Sequence, residues 1–418
     1  MLRRLGLLLA GFLVMASVLV LVFWALPVWL TRQPALGAAD HYKAMADVRT
    51  GLAAILAALG GAGGVAYTAR TFRLGQVGQL TGRFESAAKQ MGQDDQTVRL
   101  AGIHAMAQLA DEWVAQRQTC IDVLCAFVRV TSGPTRSSQP DDVREALRTT
   151  FRIIKEHLRQ RKGQISWGQY EFDFTGAVLK EADFTGMTFT GGRFLFEKVQ
   201  FEEGVLFDKA IFAGGYVSFR GAQLPQPDSH VSFVDASFRG GEVVFDEVTF
   251  GGGEAHFDDA VFGPRCLVTF KGTQLGAGGS VYFKDSKIQG PGICFTNSCF
   301  SSGNGEVRFD GATFTGTVYF DGAEFRRGVH FDGANLAGAN LVFTGAKWHA
   351  GRISFDGADC TGMIMNLENS VEGWGEIDLR GTASGGTPRI TGVDPVPHWV
   401  LLSPERPPLS DHSGEISI

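Results

Sequence analysis

From about Phe172 to Cys360 the chain repeats one short phrase roughly every twelve residues. Clear copies are Val307-Arg-Phe309-Asp-Gly-Ala312-Thr-Phe314, Val318-Tyr-Phe320-Asp-Gly-Ala323-Glu-Phe325 and Val329-His-Phe331-Asp-Gly-Ala334-Asn-Leu336. A short fixed period sustained this long specifies a solenoid, because each unit can bury its apolar face only against the next copy.

Within the phrase, apolar and polar residues alternate with period two, the signature of a strand with one face buried. The two residues between the halves are turn formers such as Asp-Gly. Each phrase therefore predicts two three-residue strands separated by tight corners. Two phrases, about 24 residues, close one four-sided coil. Phe occupies the centre of most sides, and Phe245, Phe250, Phe309, Phe314, Phe320, Phe325 and Phe331 form the expected core. The companion inward residue is Val or Ile in the first half and Ala in the second, a large–small pairing that stacks without voids. The count predicts an all-β solenoid of about eight coils, roughly 35–40 Å long.

This pattern resembles the pentapeptide-repeat family. A strict five-residue phase is visible at Ala177-Val-Leu179, Ala182-Asp-Phe184 and Met187-Thr-Phe189. The resemblance implies a right-handed quadrilateral β-helix over residues 166–362. Alternate corners carry extra residues and Phe replaces the usual Leu, so bulged corners are expected on two sides. The phrases Val98-Arg-Leu and Leu124-Cys-Ala-Phe-Val-Arg129 resemble two-helix membrane-anchored pentapeptide-repeat proteins of high-GC Gram-positive bacteria.

Ahead of the repeat, Leu5–Leu30 is apolar except for Ser17, and Gly51–Thr68 is a second stretch without charge. These predict two transmembrane helices, about 5–30 and 50–69, joined by a short loop over 31–49. Arg3 and Arg4 before the pair, and Arg70, Arg73 and Arg83 after it, place both termini in the cytoplasm of a multi-pass protein of the bacterial cell membrane. Residues 71–165 gain helical spacing and predict a small α-helical block, a linker or cap. Its last helix shows Val143, Leu147, Phe151, Ile154 and Leu158 on one face. Residues 363–380 are expected to cap the far end of the rod, and 381–418, rich in Pro, Ser and Gly, to form a disordered tail.

Charge is divided along the chain. Residues 1–165 hold 20 basic and 12 acidic side chains, a net of +8, whereas 166–360 hold 15 and 24, a net of −9. The residue after the first Phe of every second phrase gives Asp208, Asp258, Asp310, Asp332 and Asp356, a candidate interaction stripe interrupted by Val234 and Lys284. The opposite line, Arg220, Asp246, Lys271, Thr296, Asp321 and Thr344, is mixed.

The repeat carries no catalytic constellation, Walker loop or metal-ligand spacing, so no catalytic, cofactor or metal residues are expected. The six cysteines lack CxxC spacing, which favours reduced thiols. Asp111, Glu112, His104 and Asp122 are the residues to test for an enzymatic site in the helical block. The expected function is that of a membrane-tethered, non-enzymatic scaffold, with the lipid bilayer and an unidentified protein as partners and no nucleic acid. Self-association through open strand edges is a further expectation. The family resemblance also implies an alternative, an acidic DNA mimic acting on gyrase or another DNA-processing enzyme.

Overall fold

The structure, a computed structural model, describes residues 17–31, 38–132, 141–159, 163, 165–276, 278–290, 292–300, 305–371, 373–383 and 388–402. Two compact units divide after Gly82.

In the first unit, helix α1 covers Ser17–Leu30 and is apolar after Ser17. Its backbone widens to a π-helical turn over Leu21–Ala25, just before Pro27. Proline has no N–H to return to the preceding turn, so the ladder must loosen there. Helix α2 runs unbroken over Ala38–Met91. The loop expected over 31–49 is thus helical from Ala38 onward, and the span expected at 50–69 is an interior part of a longer helix. No proline interrupts 38–91, so nothing in the backbone ends the helix where the charged residues stop. Among the described residues one helix, Tyr42–Met91, is long and apolar enough to cross a membrane. The first arm of the expected hairpin lies partly outside the described residues.

The second unit begins at Arg83, in the last turns of α2, and continues with α3 (Gln96–Glu112), α4 (Arg117–Thr131) and α5 (Asp141–Leu158). Asp95 caps α3 by accepting the Val98 N–H at 2.9 Å. Ile103, Met106, Ile121, Leu124 and Ile154 are fully buried between the three helices.

The remainder is a four-walled β-solenoid. Its first wall stacks ten parallel strands, from Phe172–Asp173 to Arg389–Thr391, and so spans about nine turns. Among the described residues, the second, third and fourth walls hold eight, nine and six strands. Phe172 pairs with Phe194 and Val217 with Val243, so a coil takes 22 to 26 residues.

The corners explain the spacing. After the first and third walls the chain turns in four residues, with the fourth N–H returned to the first carbonyl, as in Ala312 to Phe309 at 3.0 Å. In all these turns but the one at Gly381 the third residue has positive φ, +66° at Gly311, which is why Asp-Gly recurs there. Extra residues enter only after the second and fourth walls, the bulged corners expected on two sides. Glycine serves those wide corners by close approach. A Cβ on Gly351 would lie 2.3 Å from the Arg327 carbonyl oxygen.

Phe245, Phe250, Phe309, Phe314, Phe320, Phe325 and Phe331 are all buried. The first wall contributes a column of eight rings from Phe174 to Phe343, with neighbouring centroids 4.7–5.4 Å apart. The third wall contributes another eight, Phe184 to Phe355, at 4.7–5.0 Å. The two columns meet edge to face across the axis, as in Phe233–Phe245 at 5.4 Å and 89°. Offset stacks along the columns and T-shaped contacts between them both suit the ring quadrupole.

The rod spans about nine turns, where the Phe count predicts about eight. Beyond Cys360 the inward positions pass to Met365, Leu367, Ile377 and Leu379, all buried. Strands Ile364–Asn366 and Glu376–Asp378 therefore extend the rod through the expected cap. Arg389–Thr391 and Val400–Leu401 carry it into the expected tail. Residues 403–418 of that tail lie outside the described residues.

Candidate functional site

The corner after the third wall aligns Asp208, Val234, Asp258, Lys284, Asp310, Asp332 and Asp356, one per coil. The backbone ladder fixes the column: the N–H of Asp235 donates to the Asp258 carbonyl at 3.0 Å, Asp259 to Lys284 at 2.9 Å, and Gly333 to Asp356 at 2.7 Å. The side chains tie the coils together. Asp258 Oδ1 accepts the Lys284 N–H at 3.0 Å, and Asp332 Oδ1 accepts the Asp356 N–H at 3.1 Å. Asp208 does the same for Val234 at 3.1 Å and also accepts the Ser232 hydroxyl. One carboxylate oxygen of these residues thus serves the fold. The mixed line across the rod includes the same device, with Lys271 N–H donating to Asp246 at 2.9 Å.

The third wall beside this corner carries charge in rows across several of its strands. His256 lies between Glu254 (3.2 Å) and Asp258 (3.7 Å) and stacks on Tyr282 at 4.9 Å. The hydrogen bond to Asp258 and the charges of both carboxylates raise its pKa above the usual histidine value. Two coils on, Arg308 lies between Glu306 (2.9 Å) and Asp310 (2.7 Å). His330 lies between Glu306 (3.7 Å) and Asp332 (3.5 Å). Farther along, Arg380 and Arg352 hold the Asp378 carboxyl well below its usual range. The acidic line is therefore the outer edge of a lattice in which cations stand between carboxylates.

A model of pentapeptide repeats in nine copies matches residues 174–223 and 304–347. Both stretches lie in walls already defined by register and corner geometry. Over those residues the solenoid carries pentapeptide repeats. No curated protein matches the chain.

At the start of the pentapeptide-repeat rod, the helical block occupies the place of a preceding coil. Phe151 of α5 packs on Phe174 and Phe184 at 5.9 and 5.5 Å. Edge groups that a preceding coil would otherwise satisfy find helical partners. Val178 N–H donates to the Ser132 carbonyl at 3.2 Å, Arg129 donates to the Asp173 carbonyl at 2.9 Å, and Gln118 exchanges two hydrogen bonds with the Glu171 backbone. Ion pairs Arg129–Asp173, Arg148–Glu181 and Lys155–Asp183 complete the junction.

The four helical-block residues singled out from the sequence do not converge on one site. Asp111 accepts the Trp167 indole N–H at 3.0 Å and contacts His157 Nε2 at 3.0 Å. Glu112 pairs with Arg83, and Asp122 with Gln118 at 2.7 Å. His104 is exposed. Among the described residues, no group of three or more His, Cys, Asp or Glu side chains is arranged to hold a metal ion. Cys294 and Cys299 lie on adjacent walls and are half-buried, whereas burial pushes the Cys125 thiol up to about 12.

Sequence reasoning missed an apolar line on the outside of the first wall. Leu195, Val244, Cys294, Tyr319 and Val342 share its outward register, interrupted by Ser218 and Thr269. The available signal was an apolar residue where the alternation calls for a polar one.

Proposed function

We propose that this protein is a non-enzymatic, membrane-tethered interaction scaffold whose pentapeptide-repeat rod presents straight lines of side chains to a protein partner. The observation that carries the reading is the third wall with its adjoining corner. Seven consecutive coils there set one outward side chain each in a single line, at strand spacing of about 4.8 Å. The backbone beneath is fixed by ring columns that need no ligand for order. Preorganised arrays of this kind bind without an ordering penalty. The apolar helices α1 and α2 support tethering, with the rod and both termini on the cytoplasmic side of a bacterial membrane. The DNA-mimic alternative is less well supported. Lys284 interrupts the acidic line and Arg308 neutralises carboxylates beside it, unlike a continuous row of phosphates.

Photo-crosslinking in native membranes tests the reading. A photoreactive residue placed at Val234 or Lys284 should trap a discrete protein that the same residue at exposed Val130 does not. Identical products from all three positions would reject the rod as the presenting surface.

A further inference from the structure

The proposed scaffold function leaves a positive patch of the second unit unassigned. Arg144, Arg148, Arg152 and Lys155 recur at helical spacing along one face of α5, and Arg159 follows its last residue, a row of about 22 Å. The row borders a groove of about 390 Å³ between α5 and the first coil, with Lys180 on the far side. Six cations line it against three carboxylates, Glu156, Glu181 and Asp183. Its floor is apolar: Leu147, Phe151 and Val178 are buried there.

The chain itself shows what this row accepts. Glu181 and Asp183, two residues apart next to the first-coil strand Val178–Leu179, give their carboxylates to Arg148 and Lys155. The other side of the row is left over. Arg152 is exposed and has no ion pair among the described residues, and Arg144 pairs only with Asp141 of its own helix, a side chain 96% exposed. Alternate side chains of an extended peptide repeat every 6.6–6.8 Å or so, and helix positions four apart repeat every 6 Å or so. Acidic residues at every second position of a bound strand thus meet Arg144, Arg148 and Arg152 in turn.

Resting on the reading of this protein as an interaction scaffold, we infer that the α5 groove binds an extended acidic peptide segment of a partner protein, with carboxylates at alternate positions. A peptide fits the groove better than a phosphate polymer or a bilayer surface does. Glu156, Glu181 and Asp183 interleave with the cations and would repel a continuous anionic line. The Phe151 ring is buried and offers no face on which a base could stack.

The test uses the full chain in nanodiscs of neutral lipid and a labelled peptide of about ten residues alternating Glu and Gly, with the Gln–Gly peptide as control. Fluorescence anisotropy should show binding of the Glu peptide alone. Affinity should fall roughly tenfold in R144E/R152E, which spares the junction pairs of Arg148 and Lys155. An unchanged far-ultraviolet spectrum controls for folding, and R152Q, with a smaller loss in the same direction, replaces the double variant if that fails to fold. No binding, equal binding of both peptides, or an unaffected R152Q would overturn the inference. So would preferential binding of phosphatidylserine vesicles that displaces the peptide. Rod-position crosslinks that persist in R144E/R152E leave the scaffold reading standing by itself, so the two ideas fail separately.

Discussion

The middle of the rod and its first coil solve the same problem with different materials. In the middle, each coil has a copy of itself on both sides. Phe257 stacks on Phe233 and Phe283 at 4.7 and 4.9 Å and meets Phe245 and Phe270 edge-on. The first coil has a copy on one side only. On the other, a single ring (Phe151), a helix-terminal carbonyl (Ser132) and several long cationic side chains stand in for a missing turn. A repeat interior is thus held mainly by apolar contacts indifferent to pH and salt. Its boundary is held by ion pairs that depend on both.

The largest expected effect lies in the interior. Phe257→Ala opens a cavity bordered by six rings and should destabilise the rod by about 3–5 kcal/mol in denaturant titrations. A loss below about 1 kcal/mol would show that neighbouring rings close the gap. Phe151→Ala at the boundary should cost about 3 kcal/mol, near the lower end of that range. Its loss should appear in hydrogen exchange as opening of α5 while the central strands stay protected, and equal exposure of both regions would erase the distinction.

Acid should separate the regions further. Burial alone would raise the pKa of Asp183 and Asp173, but hydrogen bonds outweigh it, from Lys155 and Thr185 to the first and from Thr175 and Arg129 to the second, so both are lowered. Arg148 lowers Glu181. The detached state then binds more protons than the docked one. Junction stability is full above the ordinary carboxylate pKa of about 4 and falls as pH drops through the lowered values. Exchange protection of α5 should be lost at a higher pH than that of the central strands. Simultaneous loss would contradict an ionic boundary.

The smallest effect concerns strain. Lys209 and Glu181 both hold φ near +55°, where side chains are disfavoured. Lys209→Gly should stabilise the interior by about 1 kcal/mol. Glu181→Gly gains similar relief but surrenders Arg148, so its net change should be smaller by up to about 1 kcal/mol. Equal gains in thermal melts would mean that the Arg148 pair contributes nothing.

Much of the fold was legible because the signal was periodic. Phe309, Asp310, Gly311 and Ala312 announce a buried ring, a corner, a positive φ and a small inward residue in order. The rod's extent was less legible. Met365, Ile377 and Ile390 keep the period without Phe, and the proline-rich composition after Gly381 masked two further strands. The Asp line could be read as a column from spacing alone, yet not its use. That Asp332 Oδ1 binds the next coil's N–H depends on a partner 24 residues away. The α5 cation row was present in the sequence, but its groove exists only once the first coil lies alongside.

The sequence by itself determined the four-walled solenoid, since alternation and a fixed period leave one way to bury so many rings. Tertiary structure alone decided how the rod begins, which carboxylates are spent on neighbouring coils, and where cations are left without one. The reason is physical. Repeats encode contacts between like units, whereas an end must pair unlike surfaces whose meeting no local pattern records.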